Sequence, residues 1–201
     1  METAMIYDYH IVLGFISVVV GILGYIPYFR DIYRGKTKPH VFTWVIFALL
    51  NAIVFFGQVS AGAGAGAWVS AITVLGCSAI ALTAFFRGER EITKTDWLCF
   101  IGALLGIVLW RITDEPLTAV VVVTVVDVFA FAPTFRKSYM KPHEETISTY
   151  VLSTLKYVLG IAALGSFNAT TLLFPVAVCL LNSSLVTMLF IRRRQLKTTN
   201  A

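Results

Sequence analysis

Charged side chains are scarce in this sequence, 13% of 201 residues, about half the share of an ordinary soluble domain. That leaves no stretch from which a separate water-soluble domain could be built. Cysteine is rare too. Cys77, Cys99 and Cys179 each lie in an apolar run and none has C-x-x-C spacing, which argues against a metal site or a disulfide framework. The chain has no H-E-x-x-H, no Ser/His/Asp set and no carboxylate pair inside an apolar run, so neither an enzyme nor a cofactor is expected. Basic residues are missing from alternate connections: Ala61–Ala65 and Phe167–Ala169 have none, and Arg111 stands alone.

What remains is apolar. Hydrophobic residues make up 58% of the chain and the mean hydropathy is +0.81. Seven runs, near Tyr9–Phe29, Val41–Ser60, Gly66–Phe86, Trp97–Arg111, Pro116–Phe135, Ile147–Ser166 and Thr170–Ile191, have the length and character of membrane helices, since roughly 30 Å of hydrocarbon takes about 20 residues at 1.5 Å rise. The fourth is the shortest. The fold expected is an all-α integral membrane protein with seven transmembrane helices. Except for Arg111 and Lys156, every Lys and Arg falls in Arg30–Lys38, Arg87–Lys94, Arg136–Lys141 or Arg192–Lys197. Positive charge stays on the cytoplasmic side during insertion, which puts the N-terminus outside and the C-terminus inside. The net charge of +5 is then loop charge facing an anionic leaflet, with no implication of nucleic acid. The first run lacks a basic n-region and is too long for a signal-peptide core, so it should remain as a span. A compact chain of this kind suits a bacterial inner membrane. The Ala61–Gly66 alternation reads as a short, flexible outer turn.

Sliding the chain by 106 positions lays runs one to three on runs five to seven. Pro27 then meets Pro133, Phe29 meets Phe135, Arg30 meets Arg136 and Tyr33 meets Tyr139, so a Pro-x-Phe-Arg-x-x-Tyr cluster recurs at one exit. A second echo, Lys38-Pro39-His40 against Lys141-Pro142-His143, is displaced by three residues. The organisation expected is a three-helix bundle with its loop over 1–96, a linker helix over 97–115, and a second bundle with its tail over 116–201. Asp96 is the candidate cap of the linker helix. A single linker span gives both bundles the same orientation, an arrangement of parallel repeats that transporters use.

Three helices, a linker and three more, with a proline at the cytoplasmic end of spans one and five, resemble the PQ-loop and SWEET clan. That clan holds sugar facilitators, lysosomal amino-acid exporters and the KDEL receptor. Lys36-Thr37 matches the clan's Lys-Ser/Thr step, and Thr43 lies near its small polar position. Tyr28 and Thr134 replace the glutamine that follows each proline, and Pro142-His143 stands where the second Lys-Ser/Thr would be. The resemblance implies a carrier or a receptor fold, with Asn182 at a place comparable to the span-seven asparagine of sugar carriers. Its repeat partner is Gly76, so the symmetric asparagine pair of those carriers is missing.

Asp127 and Lys156 are the acidic and basic side chains deep within the runs. They lie eight and nine residues from Phe135 and Ile147, roughly 12–14 Å at helical rise. Asn182 and Asn51 lie at the same depth on two other runs. Thr124 shares a helical face with Asp127, and Ser153 shares one with Lys156. Lipid cannot solvate such groups, so they must face other helices or a wet cavity. These six residues are the candidate substrate site. Asp127–Lys156 has two readings: a static ion pair fixing helix packing, or a pair lining a cavity where Asp127 takes a substrate cation or proton. Burial and a neighbouring ammonium act oppositely on that carboxyl, so its charge stays open. Asn51 and Asn182 could equally make interhelical hydrogen bonds. Trp44, Trp68 and Tyr150 read as interface aromatics, with stacking on a ligand as the other reading. Pro27 and Pro133 are candidate hinges or plain helix ends. Arg30 and Arg136 would either snorkel to headgroups or hold an inner gate, and the three histidines should be solvated.

The function expected is a membrane carrier working by alternating access on a small polar solute. An amino acid or related zwitterion is favoured, because both signs of charge are available at one depth, and proton coupling follows if Asp127 titrates. A sugar facilitator or a KDEL-receptor-like receptor is the alternative. The partners are the lipid bilayer, the solute and protons.

Overall fold

The computed structural model describes residues 2–37, 39, 41–88, 94–140 and 142–199, without the side chains of 2–8, 42, 95–96, 99, 103, 106–107, 110, 132–133, 137, 144 and 197–199. These residues form α1 (Glu2–Tyr33), α2 (Val41–Ser60), α3 (Trp68–Arg87), α4 (Lys94–Thr113), α5 (Pro116–Met140), α6 (Ile147–Ala162) and α7 (Ala169–Thr199), with 3-10 turns at Gly64–Ala67 and Pro142–Glu144. Among the described residues there is no strand. Five segments are long and apolar enough to cross a membrane: Tyr9–Tyr33, Thr43–Ser60, Gly64–Arg87, Pro116–Met140 and Ala169–Leu196.

The sixth run is shorter than its hydropathy promised. Its helix has 16 residues, about 24 Å at helical rise. The chain leaves it at Ala163 because the Gly165 N–H donates to the Ala63 carbonyl at 3.0 Å, pinning the end to the facing turn. Asp96 does not cap α4, since the helix already runs from Lys94. Pro27 does not end α1, which continues for six residues beyond it to Tyr33. Position 133 likewise lies within α5, although the Pro133 side chain is outside the described residues, as are Lys38, His40 and Lys141.

Helix α1 packs on α3 and α6, α2 on α3 and α5, and α7 on α5 and α6. The result is a closed ring in the order α1, α3, α2, α5, α7, α6. Exchanging α1, α2 and α3 for α5, α6 and α7 returns the same ring. Helix α4 lies outside it, against α5 and α2. Apolar side chains such as Phe15, Leu75, Phe86, Phe129 and Leu180 point outward and are exposed, whereas Gln58, Thr73, Asp127, Lys156 and Asn182 are buried. This inverts the soluble pattern, as hydrocarbon surroundings require.

The two ends of the ring are closed differently. At the end carrying the basic clusters, side chains do the work. The Thr146 hydroxyl donates to Asp31 at 3.0 Å, and the Arg193 guanidinium donates to the carbonyls of Pro142 and Glu145 at 2.7–2.9 Å. The Arg87 guanidinium sits over the Tyr33 ring at 4.9 Å. At the other end the backbones themselves meet. The Ala61–Gly66 segment is no flexible turn, because Ala63, Ala65 and Gly66 are buried. Gly62 and Gly64 adopt φ of +77° and +56°, which glycine tolerates without strain. A Cβ on Gly66 would lie 2.9 Å from the Gly160 carbonyl oxygen.

Pro175, within α7, completes this closure. Its ring nitrogen offers no hydrogen to the carbonyl four residues back, and that carbonyl, on Thr171, accepts from the Gln58 amide at 3.1 Å. Ser70 in turn donates to Gln58 Oε1 at 2.8 Å, so one fully buried amide ties α2, α3 and α7 together. Gln58→Leu strands the Thr171 carbonyl and the Ser70 hydroxyl, with an expected loss of about 1–3 kcal/mol. Thermal denaturation in detergent measures it, and an unchanged midpoint refutes the assignment.

Candidate functional site

A cavity of about 110 Å³ lies inside the ring, well above the roughly 10–15 Å³ that a single water needs. All six ring helices line it, and no described side chain of α4 does. Of the expected site residues, Asp127, Lys156, Asn182, Asn51 and Ser153 border this space. They come from α5, α6, α7 and α2, so depth counted along separate helices translates into one chamber. Thr124 does not belong to it: its hydroxyl is turned back onto the Val120 carbonyl of its own helix at 2.6 Å, the usual retreat of a threonine that finds no outside partner.

Asp127 and Lys156 are 4% exposed each, yet they are not an ion pair, for their charged atoms lie beyond the 4.0 Å that defines one. The static-pair reading is therefore corrected. Lys156 Nζ donates to Thr73 Oγ1 at 2.8 Å and to the Tyr25 hydroxyl at 3.3 Å, and sits 5.1 and 5.2 Å from the centres of the Tyr25 and Tyr157 rings. Neutral oxygens and ring faces hold this ammonium, the rings contributing through their quadrupoles. No hydrogen bond or ion pair joins Asp127 to another described residue. A buried carboxylate without protein partners, bordering a cavity, is set to meet something that enters that cavity.

The asparagines have mixed roles. Asn51 is engaged at both ends of its amide, accepting from Tyr157 at 2.7 Å and donating to the Phe47 carbonyl at 2.9 Å. Asn182 donates to Ser153 at 3.1 Å and keeps its carbonyl oxygen free. Trp44 and Tyr150 line the cavity, which corrects their interface reading, while Trp68 is partly exposed. Near the basic end Trp44 stacks on Tyr28 at 5.0 Å and the Tyr150 hydroxyl donates to Glu145 at 3.2 Å. His10 differs from its expected solvated state, its Nδ1 being buried without a partner.

Tyr25, Thr73 and Tyr157 were missed by sequence reasoning, since tyrosine and threonine are unremarkable inside apolar runs. The signal was the stripe of Lys156, as a buried ammonium needs oxygens nearby. Gly76 also has a visible reason: any side chain there would occupy the space of the Tyr25 ring. Arg30 reaches outward and pairs with its neighbour Asp31 at 3.1 Å, and Arg136 is exposed. Neither borders the cavity. No family model, curated protein or solved structure matches the chain.

Because neither buried charge leans on the other, removing one does not strand its partner. Asp127→Asn and Lys156→Met should each leave the melting temperature in detergent unchanged or raise it. The double variant should be additive to within about 0.5 kcal/mol. A direct pair would instead lose about 3–5 kcal/mol on either single change.

Proposed function

We propose that this chain is a seven-span carrier of two parallel three-helix bundles joined by α4, moving a small zwitterion such as an amino acid by alternating access. The observation that carries the proposal is a chamber enclosed by six helices and bordered by a buried carboxylate and a buried ammonium that are not paired with each other. A static protein has no use for two desolvated, uncombined charges, whereas a solute bearing both signs compensates both at once. The ring order supports the bundle arrangement, because the two triplets exchange places without changing it. The clustering of basic residues supports a cytoplasmic basic end.

In this reading the solute lies among Asp127, Lys156, Asn182 and Ser153, and Asn51 shapes the chamber wall through Tyr157. Asp127 is the group on which a coupling proton would travel when the solute leaves. Pro27 and Pro133 are the hinges: each interrupts the backbone ladder of a helix that continues past it, at equivalent points of the two bundles. Arg30 steadies Asp31, which receives Thr146 across the α1–α6 seam, and so acts on the inner gate indirectly. The sugar reading lacks the observation that favours this one, for an uncharged sugar would not answer the two ions.

The test is transport by purified protein in proteoliposomes, with amino acids and sugars as labelled solutes. Amino-acid counterflow is expected, and Asp127→Ala combined with Lys156→Met should reduce it by on the order of 100-fold. Full transport in that double variant, or sugar uptake alone, refutes the reading.

A further inference from the structure

The repeat offset applied to the cavity wall exposes a polarity that single residues do not reveal. Five pairs of lining residues are separated by 106 positions: Gly21 and Asp127, Tyr25 and Phe131, Trp44 and Tyr150, Phe47 and Ser153, Asn51 and Tyr157. The last pair is hydrogen-bonded together at 2.7 Å. Two residues that a two-fold operation exchanges can touch only at its axis, so the Asn51–Tyr157 bond marks that axis inside the cavity.

Around this axis the cavity is symmetric in shape and opposite in charge. Asp127 projects from α5 in the second half. Its counterpart on α1 is Gly21, and a Cβ there would lie 3.4 Å from Lys156 Cδ. The lysine stem thus runs beside the place that mirrors the carboxylate. Although α6 of the second half carries the ammonium, Tyr25 and Thr73 of the first half hold it. The anion and the cation face each other across the axis.

The hydrogen-bond inventory fixes what each side still offers. Thr73 donates its proton to the Val69 carbonyl at 2.6 Å, so toward Lys156 it only accepts. Two of the three ammonium hydrogens go to Thr73 and Tyr25, leaving one free. Tyr25 accepts from Lys156, and its own hydroxyl hydrogen, whose protein neighbours are Thr73 and the weak acceptor sulfur of Cys77, turns to a stronger acceptor when an anion enters. Across the axis the Asp127 carboxylate is the one charged acceptor on the described lining, with the Asn182 carbonyl oxygen free beside it and the Ser153 and Thr149 hydroxyls within the same wall.

From this we infer that the cavity binds one small α-amino acid in a single orientation, its carboxylate on Lys156 and the Tyr25 hydroxyl, its ammonium on Asp127 and Asn182. Tyr25 is then a specificity-determining residue. The inference rests on the solute-chamber reading of this cavity and adds the direction in which the solute lies.

Alanine, ethylamine and propionate share a skeleton and differ in which charge they carry, so calorimetric titration of the full chain in detergent reads the orientation. Alanine is expected to bind on the order of 10–100-fold more tightly than either of the others, each having lost one set of charge-assisted bonds. In Asp127→Asn the advantage over propionate should collapse while that over ethylamine persists, and Lys156→Met should do the reverse. Two milder variants repeat the test should either of these fail to fold. Tyr25→Phe should weaken alanine several-fold without touching ethylamine, and Asn182→Ala should weaken alanine without touching propionate. The crossed pattern, or a wild-type protein that binds ethylamine as tightly as alanine, overturns the orientation. Binding of none of the three alongside sugar transport removes the zwitterion and keeps a carrier. The expected ratios without any transport keep the site and remove the carrier.

Discussion

Hydrocarbon cannot solvate an ion, and the architecture follows from that refusal. A chain with 13% charged residues can place almost all of them at helix ends, where water or headgroups receive them. Asp127 and Lys156 are the residues for which this is impossible, as they stand midway along α5 and α6. Enclosing them takes helices on every side, and the ring of six supplies these. The outward faces then need only be apolar, which Phe15, Leu75 and Phe129 illustrate. The interior is where shape and hydrogen bonding are specified.

On the two-bundle reading proposed above, duplication accounts for the ring but not for its chemistry. A two-fold arrangement of identical triplets would put like charges opposite each other across the axis, and two buried carboxylates facing a small chamber repel. Here the second copy keeps Asp127 while the first has Gly21, and Lys156 stands where the first copy has Leu50, a buried core residue. In that reading the shell is symmetric in shape and dipolar in charge. The packing followed: Gly76, the counterpart of Asn182, accommodates the Tyr25 ring, and that ring helps hold the lysine.

Much of this was legible in the residues. Apolar runs marked the helices, and polar side chains at one depth marked the chamber, because depth along a helix is simply residue count multiplied by rise. Helix ends were less legible. Hydropathy stops where apolar residues stop, whereas hydrogen bonds carried α1 on to Tyr33 and α5 on to Met140, and backbone contact cut α6 short at Ala162. Thr124 shows the limit of face-matching: it shares a stripe with Asp127, but a threonine can satisfy itself on its own helix and need not look inward. The partners of Lys156 were invisible for another reason. Helix neighbours in the ring are not neighbours in the chain, so no spacing rule links Tyr25, Thr73 and residue 156.

The two closures bear unequally on any motion of the bundles. Opening the glycine-rich end means parting backbones that touch at Gly66 and Gly160 and exposing the amide group of Gln58, whose bonds to Ser70 and Thr171 have no substitute in lipid. Opening the basic end means exchanging side-chain bonds such as Thr146 to Asp31, which in the proposed membrane orientation water would replace one by one. The prolines divide the same way. The carbonyl freed by Pro175 is claimed by Gln58, which locks that break. No described side chain donates to the carbonyl of Leu23, four residues before Pro27, so that carbonyl makes no tie to another helix. On the carrier reading proposed above, a pivot at the Asn51–Tyr157 axis, a compliant basic end and a locked opposite end would make the basic side the one that opens first.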